Sequence, residues 1–342
     1  MTATDSADEL LNRACVLAAD VLAPGAAAVD AGSVRRADLD ALGTAGLLGA
    51  ARAPVATFRA VQEVLAGADA STWFVQVQHH HLVRMLAGAP TQPLLDDLLA
   101  GRRVAGVAFS HLRRWPQRLV TATRVAGGWS FEGRVPWYTG WGLNDVMSLG
   151  GATQDGRVVF AVVDAVAGPS LRPTEPMRLA ALGATQTVQL DLTDLFVADD
   201  QVLSVEPVEE WAGRDVRTTV NVNPAVLGIA QAAVERLAAI GAERGSAEAS
   251  ELASGVADRL ARLRAEAYAA ADDPSTEPGT ALDLRVAAHR LCLDVTGAVV
   301  AAGAGASMRL ADPAQRWARE ATFLMVQAQT PDARAAMLRS WI

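Results

Sequence analysis

The run LGATQTVQLDLTDLFVADDQVL, Leu182 to Leu203, places β structure in the middle of a chain otherwise built from alanine-rich helical segments. From Val188 the residues alternate. Val188, Leu190 and Leu192 are apolar, with Leu195 and Val197 continuing the series, while Gln189, Asp191 and Thr193 are polar, the period of a strand with one buried face. Upstream, from about Val104, the segments VAGVAFSH, RLVTATRVAGGWSFEGRVPWYTG, DVMSLGGAT and RVVFAVVDA repeat this texture, broken by Gly127-Gly128 and Asp155-Gly156, dipeptides that suit tight turns between strands. The order helices, strands, helices predicts an α+β multidomain chain: an N-terminal helical domain over 1–103, a central antiparallel β domain, sandwich or barrel, over 104–203, and a C-terminal four-helix bundle over 204–342.

Helical signals bound the flanks. Ser6 and Glu9 form a capping box ahead of the stripe Leu10, Leu11, Ala14, Leu17, and Pro24-Gly25 is read as the stop. Further helices are predicted from Arg36 to Leu42, around the face Phe58, Val61, Val64, Leu65, and from Ser71 to Leu86. After an acidic, proline-containing connector, Ser204 to Asp215, the pair Asn223-Pro224 caps a helix over Val226 to Glu243. Three more fit Ala247 to Ala271, Leu282 to Ala302 and Pro313 to Leu338.

Composition removes several function classes. At 342 residues with net charge −8, the chain has no electrostatic footprint for nucleic acid, although all 30 basic residues are arginine. Cys15 and Cys292 are isolated in sequence, against a disulfide framework or a zinc site. The opening MTATDSADEL lacks the apolar core of a secretory signal, and no apolar run reads as a membrane span. A cytoplasmic protein with no membrane partner is therefore expected. No GxGxxG follows a strand, which removes a nicotinamide-binding reading. His79, His80 and His81 are adjacent on one predicted helix, where side chains diverge by about 100° per residue, so they do not converge on a metal.

Four segments resemble the acyl-CoA dehydrogenase superfamily, in the order that superfamily has them: AGADASTWF (Ala66 to Phe74), VAGGWSFEGRVPWYTG (Val125 to Gly140), Thr187 to Val197, and GAGASMRLADPAQRWARE (Gly303 to Glu320). The resemblance implies a flavin, FAD in the usual case, between the β domain and the C-terminal bundle. By the same resemblance Phe109 and Ser110 stand at the flavin ring edge, Trp137 and Thr139 pack on and hydrogen-bond the ring, and Thr330 lies in the last helix region beside the cofactor. His111 takes a position usually held by Glu, at the mouth of the site; in flavin monooxygenases of this fold a helical histidine near the flavin can hydrogen-bond a phenolic or heteroaromatic substrate, a role for which the cluster offers His81, so both are candidate catalytic residues. The implied substrate is a small molecule or an acyl thioester. The motif Pro313 to Arg319 implies paired subunits, a homodimer or homotetramer.

The departures from that pattern concern the chemistry. Desaturation of an acyl thioester needs a carboxylate to take the α-proton, and the two positions that supply it carry Ala328 and Thr218. Glu320 and Asp332 are nearby in sequence but fall at a structural acid and a loop end. The pyrophosphate-holding Arg position reads Glu243-Arg244-Gly245-Ser246, with Arg244 as the one substitute, and a usual Gln is Val299. The adenine half of FAD is then poorly held, or the site takes a smaller flavin such as FMN, or a reduced flavin, or none. Arg113, Arg114 and Arg118 follow Ser110 as a basic loop able to meet a phosphate or simply solvated. Two functions stay open: a flavin-dependent oxidoreductase, either a desaturase with a relocated base or a monooxygenase-like enzyme, and a flavin-free member acting as a structural or partner subunit.

Overall fold

A computed structural model describes residues 6–87 and 93–341. Six helices come first: α1 (Ala7–Leu17), α2 (Ala23–Ala31), α3 (Arg36–Thr44), α4 (Val55–Ala68), α5 (Ala70–Leu86) and α6 (Pro93–Leu99). The capping box is present, with Ser6 Oγ accepting from the Glu9 amide and Glu9 Oε2 from the Ser6 amide. Pro24 does not stop the first helix. A π-helical turn over Ala18–Leu22 joins α1 to α2, and Pro24 falls in the first turn of α2, where its missing amide N–H and its ring are accommodated.

Eight strands follow, β1 (Ala105–Ala108), β2 (Val120–Val125), β3 (Gly128–Tyr138), β4 (Val146–Ala152), β5 (Arg157–Asp164), β6 (Leu171–Pro173), β7 (Val188–Ala198) and β8 (Val202–Pro207). They form one sheet in the order β6-β7-β3-β2-β4-β5-β8, with β1 also on β4. The pairings are antiparallel except at one edge of β4, where β1 runs parallel along Val146 to Leu149 and β2 makes a single parallel bridge, Thr121 to Ala152. β1 and β2 thus lie in tandem along β4. Between them the chain leaves the sheet for a 3-10 turn, Ser110–Arg114, and that excursion carries Phe109 and Arg113 to the cavity described below. The segment read from sequence as a connector after Leu203 is instead β8 and a helix. Its register on β5, Val159 opposite Val205, supplies the partner that a weakly alternating sequence does not announce.

The C-terminal part comprises α7 (Val208–Thr219), α8 (Pro224–Arg244), α9 (Ala247–Asp272), α10 (Pro278–Gly303), α11 (Pro313–Leu324) and α12 (Pro331–Arg339). The stretch predicted as one helix from Pro313 to Leu338 is broken between α11 and α12, where Ala328 has φ 50° and Pro331 opens the next helix. One apolar core runs from Leu10 and Leu65 through Leu227, Leu260 and Val295 to Leu324, so the N-terminal helices and the bundle share an interior. The sheet has its own core around Phe131, Tyr138 and Leu190. α4 meets α8 closely: a Cβ on Gly228 would stand 2.1 Å from the Glu63 carbonyl oxygen, and one on Gly67 2.8 Å from that of Gly228. Three helical stretches, Ala7–Ala31, Val208–Arg244 and Pro278–Met308, are long and apolar enough by composition to cross a membrane, contrary to the sequence reading. Alanine raises their mean hydropathy without forming an unbroken run of large apolar residues.

Candidate functional site

The principal cavity, about 590 Å³, lies where the N-terminal helices, the sheet and the bundle meet. α4 and α5 supply Phe58, Arg59, His81, Arg84 and Met85; the sheet side supplies Phe109, Arg113 and Phe160; α7 and the turn into α8 supply Trp211, Asp215, Thr218 and Asn223. Arg285 of α10 and Gln327 and Ala328, between α11 and α12, close the far wall.

Phe109 is central to the apolar part. It packs against the His81 ring at 4.5 Å between centroids and edge-on to Phe160 at 5.4 Å. His81 is on α5 and its Nε2 is out of solvent with no hydrogen-bond partner among the described residues. Burial, with the Arg84 charge added, lowers its pKa to about 4, so it is neutral near pH 7. A proton-transfer role tuned to neutrality, expected from an unperturbed imidazole, does not fit this environment.

The remaining sequence candidates fall outside the lining. His111 is 2% exposed, with Nε2 donating to the Gly150 carbonyl at 2.9 Å; it anchors the 3-10 turn to β4 instead of standing at the site mouth. Gly150 is required there, because a Cβ would lie 2.8 Å from both Phe109 and Leu112. Ser110 is the first residue of that turn. Trp137 on β3 is 48% exposed, and Thr139, just past the end of that strand, is buried against Thr187, 3.0 Å between hydroxyls. Thr330 caps α12, accepting from the Ala333 amide at 3.2 Å. The structure therefore brings His81 and Phe109 together and leaves Ser110, His111, Trp137, Thr139 and Thr330 outside that cavity.

Ala328 and Thr218, the two positions at which a carboxylate base was sought, both line it. The carboxylates among the described lining residues are Glu206 and Asp215, and each is engaged. Asp215 takes two hydrogen bonds from Arg113, both 2.7 Å, and Glu206 pairs with Arg214. Glu320, far from solvent on α11, lies 3.6 Å from Arg316 and has its pKa raised by burial to about 7; it does not line the cavity. Sequence reasoning passed over Arg84 and Arg285. For Arg285 a signal exists: it occupies the buried stripe Ala281, Arg285, Ala288, Cys292 of α10, where an ionic residue is out of place.

No family model and no curated protein matches the chain by sequence. Solved structures match over its whole length. Butyryl-CoA dehydrogenase from Megasphaera elsdenii is similar at TM-score 0.85 and 17% identity, covering 100% of this chain and 99% of that one. The chain has the acyl-CoA dehydrogenase fold. A glutaryl-CoA dehydrogenase from Mycobacterium smegmatis in complex with FADH2 is similar at TM-score 0.82 and 14% identity, over 99% and 95% of the two chains. Dibenzothiophene monooxygenase (TdsC) from Paenibacillus sp. A11-2 is similar at TM-score 0.77 and 17% identity, over 97% of each. The fold therefore houses both dehydrogenases and a monooxygenase, and the choice between such chemistries rests on the site.

For a flavin the fit divides. The cavity volume and the aromatic wall of Phe109, Phe160 and Trp211 suit a flat ring. The positions at which the resemblance expects the adenine half to be held do not. Arg244 donates to the carbonyls of Ala302 at 2.8 Å and Gly303 at 3.2 Å, which spends it on the end of α10, and Val299 is fully buried without a polar atom to offer.

Proposed function

We propose that this chain is a flavin-dependent oxidoreductase whose reaction does not start with removal of an α-proton by a carboxylate, and which stands nearer to the oxygenating enzymes of the fold than to the desaturating ones. One observation carries the reading. The carboxylates lining the cavity, Asp215 and Glu206, are held in ion pairs with Arg113 and Arg214, while Ala328 and Thr218, where the resemblance expects a base, line it without an acid. A flavin bound there would supply two-electron redox chemistry.

The chain's own residues then have limited and definite tasks. Phe109 and Phe160 give a dry wall for a ring. His81, neutral and packed on Phe109, shapes the same wall and is too weak a base to hold a proton near pH 7. The Arg113–Asp215 pair ties the 3-10 turn to α7 and fixes two walls relative to each other. Because the adenine half meets no anchor at Arg244 or Val299, FMN and FAD should bind with similar affinity. Titration of the purified protein with each, followed by the flavin absorption band, tests this. Uptake of either flavin, with FAD gaining less than about tenfold over FMN, supports the reading. A protein that takes up neither flavin, oxidised or reduced, rejects it.

A second reading, a flavin-free partner subunit, is favoured by the engagement of Arg244 with α10 carbonyls. It predicts a colourless protein under every condition of that titration.

A further inference from the structure

Five guanidiniums line the cavity, each from a different element: Arg59 on α4, Arg84 on α5, Arg113 on the 3-10 turn, Arg214 on α7 and Arg285 on α10. Three are neutralised, by Asp272 just outside the lining and by Asp215 and Glu206. Arg84 and Arg285 meet no carboxylate among the described residues. Arg84 lies over the Phe58 ring, 4.4 Å from its centroid, a contact that orients the guanidinium without cancelling its charge. Arg285 is 6% exposed; Nη1 donates to the Thr219 carbonyl and Nη2 to the Gln327 carbonyl at 3.0 Å.

Those carbonyls fix Arg285 between the end of α7 and the turn before α12 but carry no net charge to set against it. Such a tie needs only a donor, and a neutral side chain would supply one without the cost of burying a cation. The Arg113 charge reaches Arg285, and the Arg84 charge reaches His81, where the paired Asp215 and Arg113 act in opposite directions. Around one space the solvent-exposed Arg84 and the buried Arg285 are thus both left without a carboxylate partner among the described residues. A planar guanidinium with unused N–H groups is suited to an oxyanion.

We infer that the cavity takes a substrate bearing a carboxylate or phosphate group, and that Arg84 and Arg285 are the residues that select it. The inference rests on the proposed small-molecule chemistry of this cavity, and its test is read in binding alone. Trp211 in the lining gives a fluorescence signal. Benzoate and phenyl phosphate should quench saturably and at least about tenfold more tightly than neutral benzamide. That preference should disappear in Arg84→Gln and in Arg285→Gln. Should loss of that tie unfold the second variant, Arg84→Gln alone decides, since its guanidinium forms no such tie among the described residues. Equal affinity for benzoate and benzamide, or an anion preference retained in Arg84→Gln, overturns the inference. Weaker binding of FMN but not of riboflavin by Arg84→Gln would give the site to the cofactor phosphate, which also overturns it. A protein that binds no flavin yet prefers benzoate supports the anion site and removes only the flavin reading.

Discussion

The five histidines of the chain share one physical circumstance: all are held neutral by burial. His79 accepts from the Ala105 amide at Nδ1, 3.0 Å, and His80 donates to Gln76 at 2.9 Å. Desolvation lowers His79, His81 and His111 to about 4, His289 to about 3, and His80 well below its ordinary value. The folded state refuses protons that the unfolded chain takes near pH 6.5, so the stability these residues contribute is full above that pH and falls as pH drops toward 4. At about 3 kcal/mol for a shift of this size, a few such groups exhaust a total of about 5–15 kcal/mol. Glu320 works in the opposite sense: raised to about 7, it contributes most below its unfolded pKa and loses that contribution as pH rises through 7. Urea unfolding between pH 6.5 and 5 should show a steep loss of midpoint, made shallower by His289→Leu, whose Nε2 has no partner to lose. A midpoint constant across that range would contradict it. At the same scale, Asp215→Asn should destabilise by about 1–3 kcal/mol by weakening its paired hydrogen bonds with Arg113, measured by the same unfolding.

Between elements, α4 and α8 form one close joint. Gly228→Ala would drive a methyl group onto the Glu63 backbone and is expected to cost about 1–3 kcal/mol, read as a lowered urea midpoint; a neutral effect would show that the helices separate freely. Elements with long periodic stripes were legible in the sequence: α4, α5, α8, α9 and β7 lie where spacing and caps put them. Elements whose partner lies far along the chain were not. β8 is legible only once β5 is beside it, the break before α12 depends on Ala328 adopting φ 50°, and the π turn at Ala18–Leu22 hides the expected effect of Pro24. The site divides in the same way. Phe109, His81, Ala328 and Thr218, singled out from local motifs, all line the cavity. The ion pair that occupies Asp215 and the setting of Arg285 arise from contacts across 102 residues for Arg113–Asp215 and 66 for Arg285–Thr219, beyond any local pattern.

At the scale of the whole molecule, the helical flanks form one interior and the sheet another, with the cavity at their junction. Met308, Leu310, Val326, Leu338 and Trp341 are individually exposed in the last part of the chain, and the motif Pro313 to Arg319 lies among them. We propose a homodimer or homotetramer, and sedimentation of the full chain should give a mass of two or four protomers; a monomer at micromolar concentration would contradict it. The central claim is that this fold here carries a flavin chemistry without a carboxylate base. It is tested most directly by loading the protein with FAD or FMN and adding butyryl-, octanoyl- and palmitoyl-CoA without oxygen. The predicted result is a retained flavin band that no acyl-CoA bleaches, and rapid bleaching by any of the three would contradict the account.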